Sequence, residues 1–145
     1  MKSLTVKAAL IAALLAAALA SSAAASNAPL NVTFDKHVVD PAAFVFQGTT
    51  GGDVPGALTS KLVSIEASTG PILHLTFDWI VFAGAKSFTA RTSGTWNTKT
   101  GSVVMNGTVI DGYLLGAQVH EQGQLLDPTT LHFAGSLRLM PGTAG

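Results

Sequence analysis

The stretch from Ile72 to Val109, ILHLTFDWIVFAGAKSFTARTSGTWNTKTGSVVMNGTV, constrains the fold of this chain more than any other. Leu73, Leu75, Phe77, Trp79 and Val81 alternate with His74, Thr76 and Asp78, the period of two that marks a strand with one buried face. Two turn signals follow, Ala83-Gly84-Ala85-Lys86 and Asn97-Thr-Lys-Thr-Gly101, with Gly101 at the position that usually needs a left-handed residue. Three successive antiparallel strands are therefore expected here, and the rest of the chain must pack around them.

The N-terminus has a different character. Lys2 and Lys7 precede an apolar run from Ala8 to Ala20, and small residues follow, with Ala23-Ala24-Ala25 as an A-x-A cleavage site and Ala18-Leu19-Ala20 as a second. The run is shorter than the ~20 residues that span a bilayer, so residues 1–25 read as a secretory signal peptide and not as an uncleaved anchor. A secreted or periplasmic location follows, with no membrane span in the mature form. The absence of cysteine excludes a lipoprotein anchor, disulfides, thiol catalysis and thiolate metal sites. The remaining ~120 residues suit one domain with a single core. With Lys2 and Lys7 gone, six basic residues remain against eight acidic ones, scattered along the chain, so nucleic acid is not an expected partner.

Residues 26–31 read as a flexible leader, 32–140 as the folded domain and 141–145 as a flexible Pro-Gly tail. The domain divides into eight strand candidates, at 32–39, 43–47, 57–67, 72–82, 86–96, 102–110, 114–125 and 131–140. Asp40-Pro41, Ser68-Thr-Gly-Pro71, Asp111-Gly112 and Asp127-Pro128 supply turns. The phase change between Leu58/Leu62 and Val63/Ile65/Ala67 predicts a β-bulge near Leu62. The breaker-rich segment Gly48 to Gly56 is the candidate for a loop at a barrel mouth. Short links favour an all-β, eight-stranded antiparallel up-and-down barrel, with a two-sheet sandwich as the alternative. An outer-membrane barrel is disfavoured, because ten aromatics and uniformly short links do not make aromatic girdles and long loops.

Alternation assigns an apolar inner set: Leu73 to Val81, then Phe88, Ala90 and Trp96, Val103, Met105 and Val109, Leu115, Ala117 and Val119, and Leu131, Phe133, Leu137 and Leu139. Arg91, Ser93, Thr95, Asn106, Thr108, Gln118, His120, Gln122, Gln124, His132 and Arg138 fall on the outer face. Glu121 is the exception, in phase with Ala117 and Val119. An inward carboxylate is costly, gains a raised pKa, and suits a general acid or base or a polar anchor. A bulge at Gly116 or Gly123 would instead turn it to solvent.

Phe77, Trp79, Trp96, Met105, Phe133 and Tyr113 are the candidate ligand-binding walls, although packing alone also accounts for the tryptophans. His74, Asp78, His120 and His132 form no ligand-spaced motif, so no metal is expected. No nucleophile elbow, phosphate loop or dinucleotide fingerprint occurs, so no cofactor is expected either. Asn31-Val-Thr33 and Asn106-Gly-Thr108 are sequons that matter only in a eukaryotic secretory pathway.

At Ser93-Gly-Thr-Trp-Asn97, Thr100-Gly101 and Asn106-Gly-Thr-Val109 the chain resembles the allene oxide cyclase and dirigent-like barrel group, which is related in shape to the calycins. The likeness extends as strand rhythm from Gly48 to Leu139. It implies an eight-stranded barrel with an apolar cavity, often trimeric, that cyclises an oxylipin epoxide or orients radicals. Three functions stay open: a barrel binding a small apolar molecule with Glu121 as polar anchor, a cyclase or isomerase in which Glu121 moves a proton, and a structural module associating through Ile80, Phe82, Val104 and Ile110.

Overall fold

A computed structural model describes residues 28–142, and the signal-peptide reading of residues 1–25 lies outside them. The strands are β1 (Leu30–Asp40), β2 (Val45–Gly52), β3 (Gly56–Thr69), β4 (Ile72–Phe82), β5 (Phe88–Asn97), β6 (Ser102–Gly112), β7 (Gln118–Asp127) and β8 (His132–Met140). Each pairs antiparallel with the next, and β1 pairs with β8, so the sheet closes into a barrel in simple chain order. Apart from one 3₁₀ turn, Gly84–Lys86, the described residues form no helix, and none is long and apolar enough to cross a membrane.

The inner face is mainly apolar, while Asp35, Lys61, Arg91, Asn106, Gln122 and Arg138 stand exposed on the outer face. Eight strands leave an interior just wide enough for side chains to fill. Burial is unequal along the barrel axis. At the end that carries the β2–β3, β4–β5 and β6–β7 turns, Val32, Val54, Val81, Val109, Val119, Ala117 and Leu139 are almost wholly buried. Val54, from the β2–β3 turn itself, closes this end, and Thr50 Oγ1 donates to its carbonyl at 2.7 Å. At the opposite end Val38, Phe44, Leu62, Leu73, Trp96 and Leu125 are only partly buried. The barrel thus has a closed end and an open end.

Closure of so narrow a barrel needs sharp local bending, and inward-phase glycines provide it. A Cβ at Gly48 would run into the Asp35 carbonyl on β1, and one at Gly107 into the Arg91 carbonyl on β5. Gly107→Ala is expected to lower stability by about 1 to 3 kcal/mol through this overpacking. A urea titration checks it, and an unchanged midpoint would contradict the bending role.

Several expectations need correction. Gly48 to Gly52 extend β2 instead of forming a mouth loop, and the short turn that follows lies at the closed end. Glycine content suggested a loop, but these glycines serve close strand approach. β7 begins at Gln118, not at 114, because Gly112, Leu114 and Gly116 all adopt positive φ and build a longer turn. Leu115, expected inside, is 69% exposed on that turn. Leu30 and Asn31, read as leader, pair with Leu139 and Arg138. The expected bulge near Leu62 is present as a register shift between Leu62 and Ser64.

Candidate functional site

The inward side chains of the open half are mostly aromatic, and two charged residues stand among them. Lys36, on β1, lies in register with Gly48 of β2 and Phe133 of β8. Glu121, on β7, lies in register with Met105 of β6 and Leu137 of β8. Both are buried, at 6% and 2% exposure. No bulge intervenes at Gly116 or Gly123 to turn Glu121 outward, so the inward reading of its alternation holds.

The Lys36 stem follows the apolar wall and its ammonium sits over the Trp79 ring, 4.1 Å from the centroid. Phe46 and Phe77 stand at 4.9 and 5.2 Å, so the cation lies in an aromatic cage. Its hydrogen bond goes to Ser60 Oγ at 3.2 Å. Trp79 in turn donates from Nε1 to Thr92 Oγ1 at 3.2 Å, which fixes the floor of the cage.

Lys36 and Glu121 share the interior without forming a direct ion pair; the pairs among the described residues are Arg91–Asp78 and His132–Asp35, both on the outside. Burial pushes the Lys36 ammonium down from 10.5 to about 8, and the Glu121 charge pulls it partly back. Burial pushes the Glu121 carboxyl up from 4.5 to about 7, partly offset by Lys36. Two groups that usually titrate far from neutrality are thereby both brought close to it.

Lys36 and Glu121 line a cavity of about 30 Å³, room for about two water molecules, together with Phe34, Phe77, Trp96, Met105 and Phe133. A second recess of similar size, between Phe44, Leu62 and Leu73, adjoins it toward the mouth. Phe46, Leu75, Phe77 and Trp96 belong to both linings and form the partition. Two buried polar atoms of this lining have no partner, Glu121 Oε2 and Trp96 Nε1. Unpaired groups of this kind are rare, because each forgoes about 1 to 3 kcal/mol of solvation. With Glu121 protonated, the residues of this lining carry the Lys36 ammonium, the Trp96 N–H and the Glu121 O–H, a donor set that matches a ligand oxygen.

The structure thus gathers Glu121, Phe77, Trp96, Met105 and Phe133 around one space. Trp79 lies beneath it, wholly buried, and contributes through Lys36. Tyr113 does not join them: it sits on the β6–β7 turn at the closed end, where its amide donates to the Ser87 carbonyl. On the outer face His74 stands exposed, Asp78 is held by Arg91, His120 by Asn106 and His132 by Asp35.

Lys36 went unnoticed in the sequence, yet the signal was present. Val32, Phe34, Lys36 and Val38 share one parity of β1, so the rule that exposed Glu121 also places Lys36 inside. Ser60 follows Leu58 in the same way, and Thr92 follows Phe88 and Ala90.

Fold and site together define a small closed β-barrel with an ionisable lysine and glutamate in an aromatic interior. Compared with family models, curated proteins and solved structures, the chain matches none of them.

Proposed function

We propose that this is an exported barrel that binds a small, mainly apolar molecule through its open end. Phe77, Trp96, Met105 and Phe133 form the walls, and Glu121 with Lys36 is the polar anchor. The observation that carries this reading is that Glu121 and Trp96, which line one aromatic cavity beside a buried lysine, each keep a polar atom without a partner, Oε2 and Nε1. A side-chain-filled core would have no use for any of the three.

The resting cavity admits only a few heavy atoms, so a larger guest requires the Trp96 side chain to swing and merge the two recesses. Straight-chain alcohols of about four to eight carbons, each larger than either ~30 Å³ recess alone, test this. Saturable binding with a change in tryptophan fluorescence is expected in the wild type, and Trp96→Phe should remove most of the fluorescence change. Absence of saturable binding across the series would reject the reading.

A second reading rests on the two titrations near neutrality. A carboxyl near pH 7 beside an amine near pH 8 is an acid and base pair in a water-poor space, as a cyclase or isomerase of the type suggested by the sequence likeness requires. Glu121→Gln is then expected to abolish turnover, and unchanged turnover would reject the role. The trimeric assembly implied by the same likeness would use the outward apolar residues Phe82, Val104 and Ile110.

A further inference from the structure

We propose that Lys36 is an amine nucleophile which forms a reversible imine with small apolar aldehydes or ketones in the cavity, with Glu121 moving the protons. This rests on the ligand-binding reading above and names the chemical class of the guest.

The argument begins with the lysine itself. A structural lysine usually closes on a carboxylate, whereas Lys36 Nζ does not: it is enclosed by rings and bonded to one hydroxyl, Ser60 Oγ. Only one of its three hydrogens is thereby accounted for, and its side chain lines the cavity. A desolvated lysine in an apolar pocket is the form of this side chain that acts as a nucleophile. The titration brought down to about 8 gives about a tenth of neutral amine at pH 7, against less than a thousandth for an ordinary lysine.

The other groups fit the remaining steps. The neutral amine attacks the carbonyl carbon, and the π electron pair moves to oxygen. Protonated Glu121 supplies a proton to that oxygen, and the nitrogen returns one to the carboxylate, giving the carbinolamine. A second transfer from Glu121 lets the C–O bond break and water leave, so that amine, carbonyl and carboxylic acid become iminium, carboxylate and water. No oxidant or reductant enters. The released water leaves through the open end, and its return reverses the step by hydrolysis. Trp96 Nε1, without a partner in the resting protein, is the other donor available to the carbonyl oxygen. Lys36 and Glu121 are the titratable side chains of this lining, since β2, β4, β5, β6 and β8 contribute only uncharged ones.

The test treats the wild-type protein with butanal, hexanal or octanal and cyanoborohydride at about pH 7, followed by peptide mapping. Lys36 is expected to be alkylated at least tenfold faster than the exposed Lys61, Lys86 and Lys99, which serve as internal references in the same molecule. Glu121→Gln should slow labelling of Lys36 at least tenfold, and Lys36→Met should leave only the reference sites. Labelling confined to the surface lysines in a protein that binds the alcohols would overturn the imine and keep the binding reading. Failure of both alcohol binding and Lys36 labelling would overturn both.

Discussion

Replacing Lys36 by methionine and Glu121 by leucine together is expected to raise the stability of the barrel by about 1 to 4 kcal/mol near neutral pH, the range seen when buried ion pairs give way to well-packed apolar residues. Both substitutions keep side-chain volume close to the original, so the aromatic cage need not collapse. The physical reason is the missing contact: two charges have left water, yet neither closes on the other, and Glu121 Oε2 has no hydrogen bond.

The pH dependence gives the sign independently. Glu121 titrates higher in the folded chain than in the unfolded one, so its ionisation disfavours folding. Stability is lost as pH rises from about 4.5 through about 7. Lys36 titrates lower in the folded chain, so its cost is present below about 8 and is relieved as pH climbs toward 10.5. The wild type should therefore show a stability trough between about pH 7 and 8, where both groups are charged, and the double variant should lack it. Chemical denaturation across pH measures both curves. A wild type most stable at pH 7 to 8, or a double variant that is destabilised there, would show that the pair supports the fold instead of burdening it. Two costly charges kept inside the barrel are the ground on which the binding and imine readings rest.

Trp79→Ala should produce the largest single loss, about 3 to 5 kcal/mol, corresponding to a fall in melting temperature of roughly 10 to 20 °C. Trp79 has no exposed surface, and three features converge on its ring. Phe34 packs edge-on with centroids 4.8 Å apart, Thr92 accepts from the indole nitrogen, and the Lys36 ammonium rests on the face. Removing the indole opens a cavity directly beneath a cation, so the site suffers with the core. Trp79→Phe keeps a ring face for Lys36 and loses the Thr92 bond, and should cost distinctly less. Thermal unfolding of the two variants separates packing from cation support; equal losses would mean that the hydrogen bond to Thr92 carries the effect.

Alternation carried most of the fold. β4 runs from Ile72 to Phe82 as its pattern requires, and the bulge beside Leu62 is where the phase changes. Reading failed where glycine has two meanings. At Gly48 it permits neighbouring backbones to approach, whereas at Gly116 it provides the left-handed turn with nothing opposite. Composition does not distinguish these uses, because the difference lies in what the neighbouring strand places opposite the missing Cβ.

The sequence by itself determined the strand number and most of the inner face, since these depend on a local period of two, and left Glu121 between an inward direction and a bulge that would turn it to solvent. Only the tertiary structure decided which end is open, that Tyr113 stands at the other end, and that Lys36 shares one space with Glu121. Those two residues are 85 positions apart in the chain. Their proximity arises from closure: β8, in register with both β1 and β7, brings Lys36 beside Phe133 and Glu121 beside Leu137. A strand's own pattern says which side chains point inward, and the closed sheet says what they meet there.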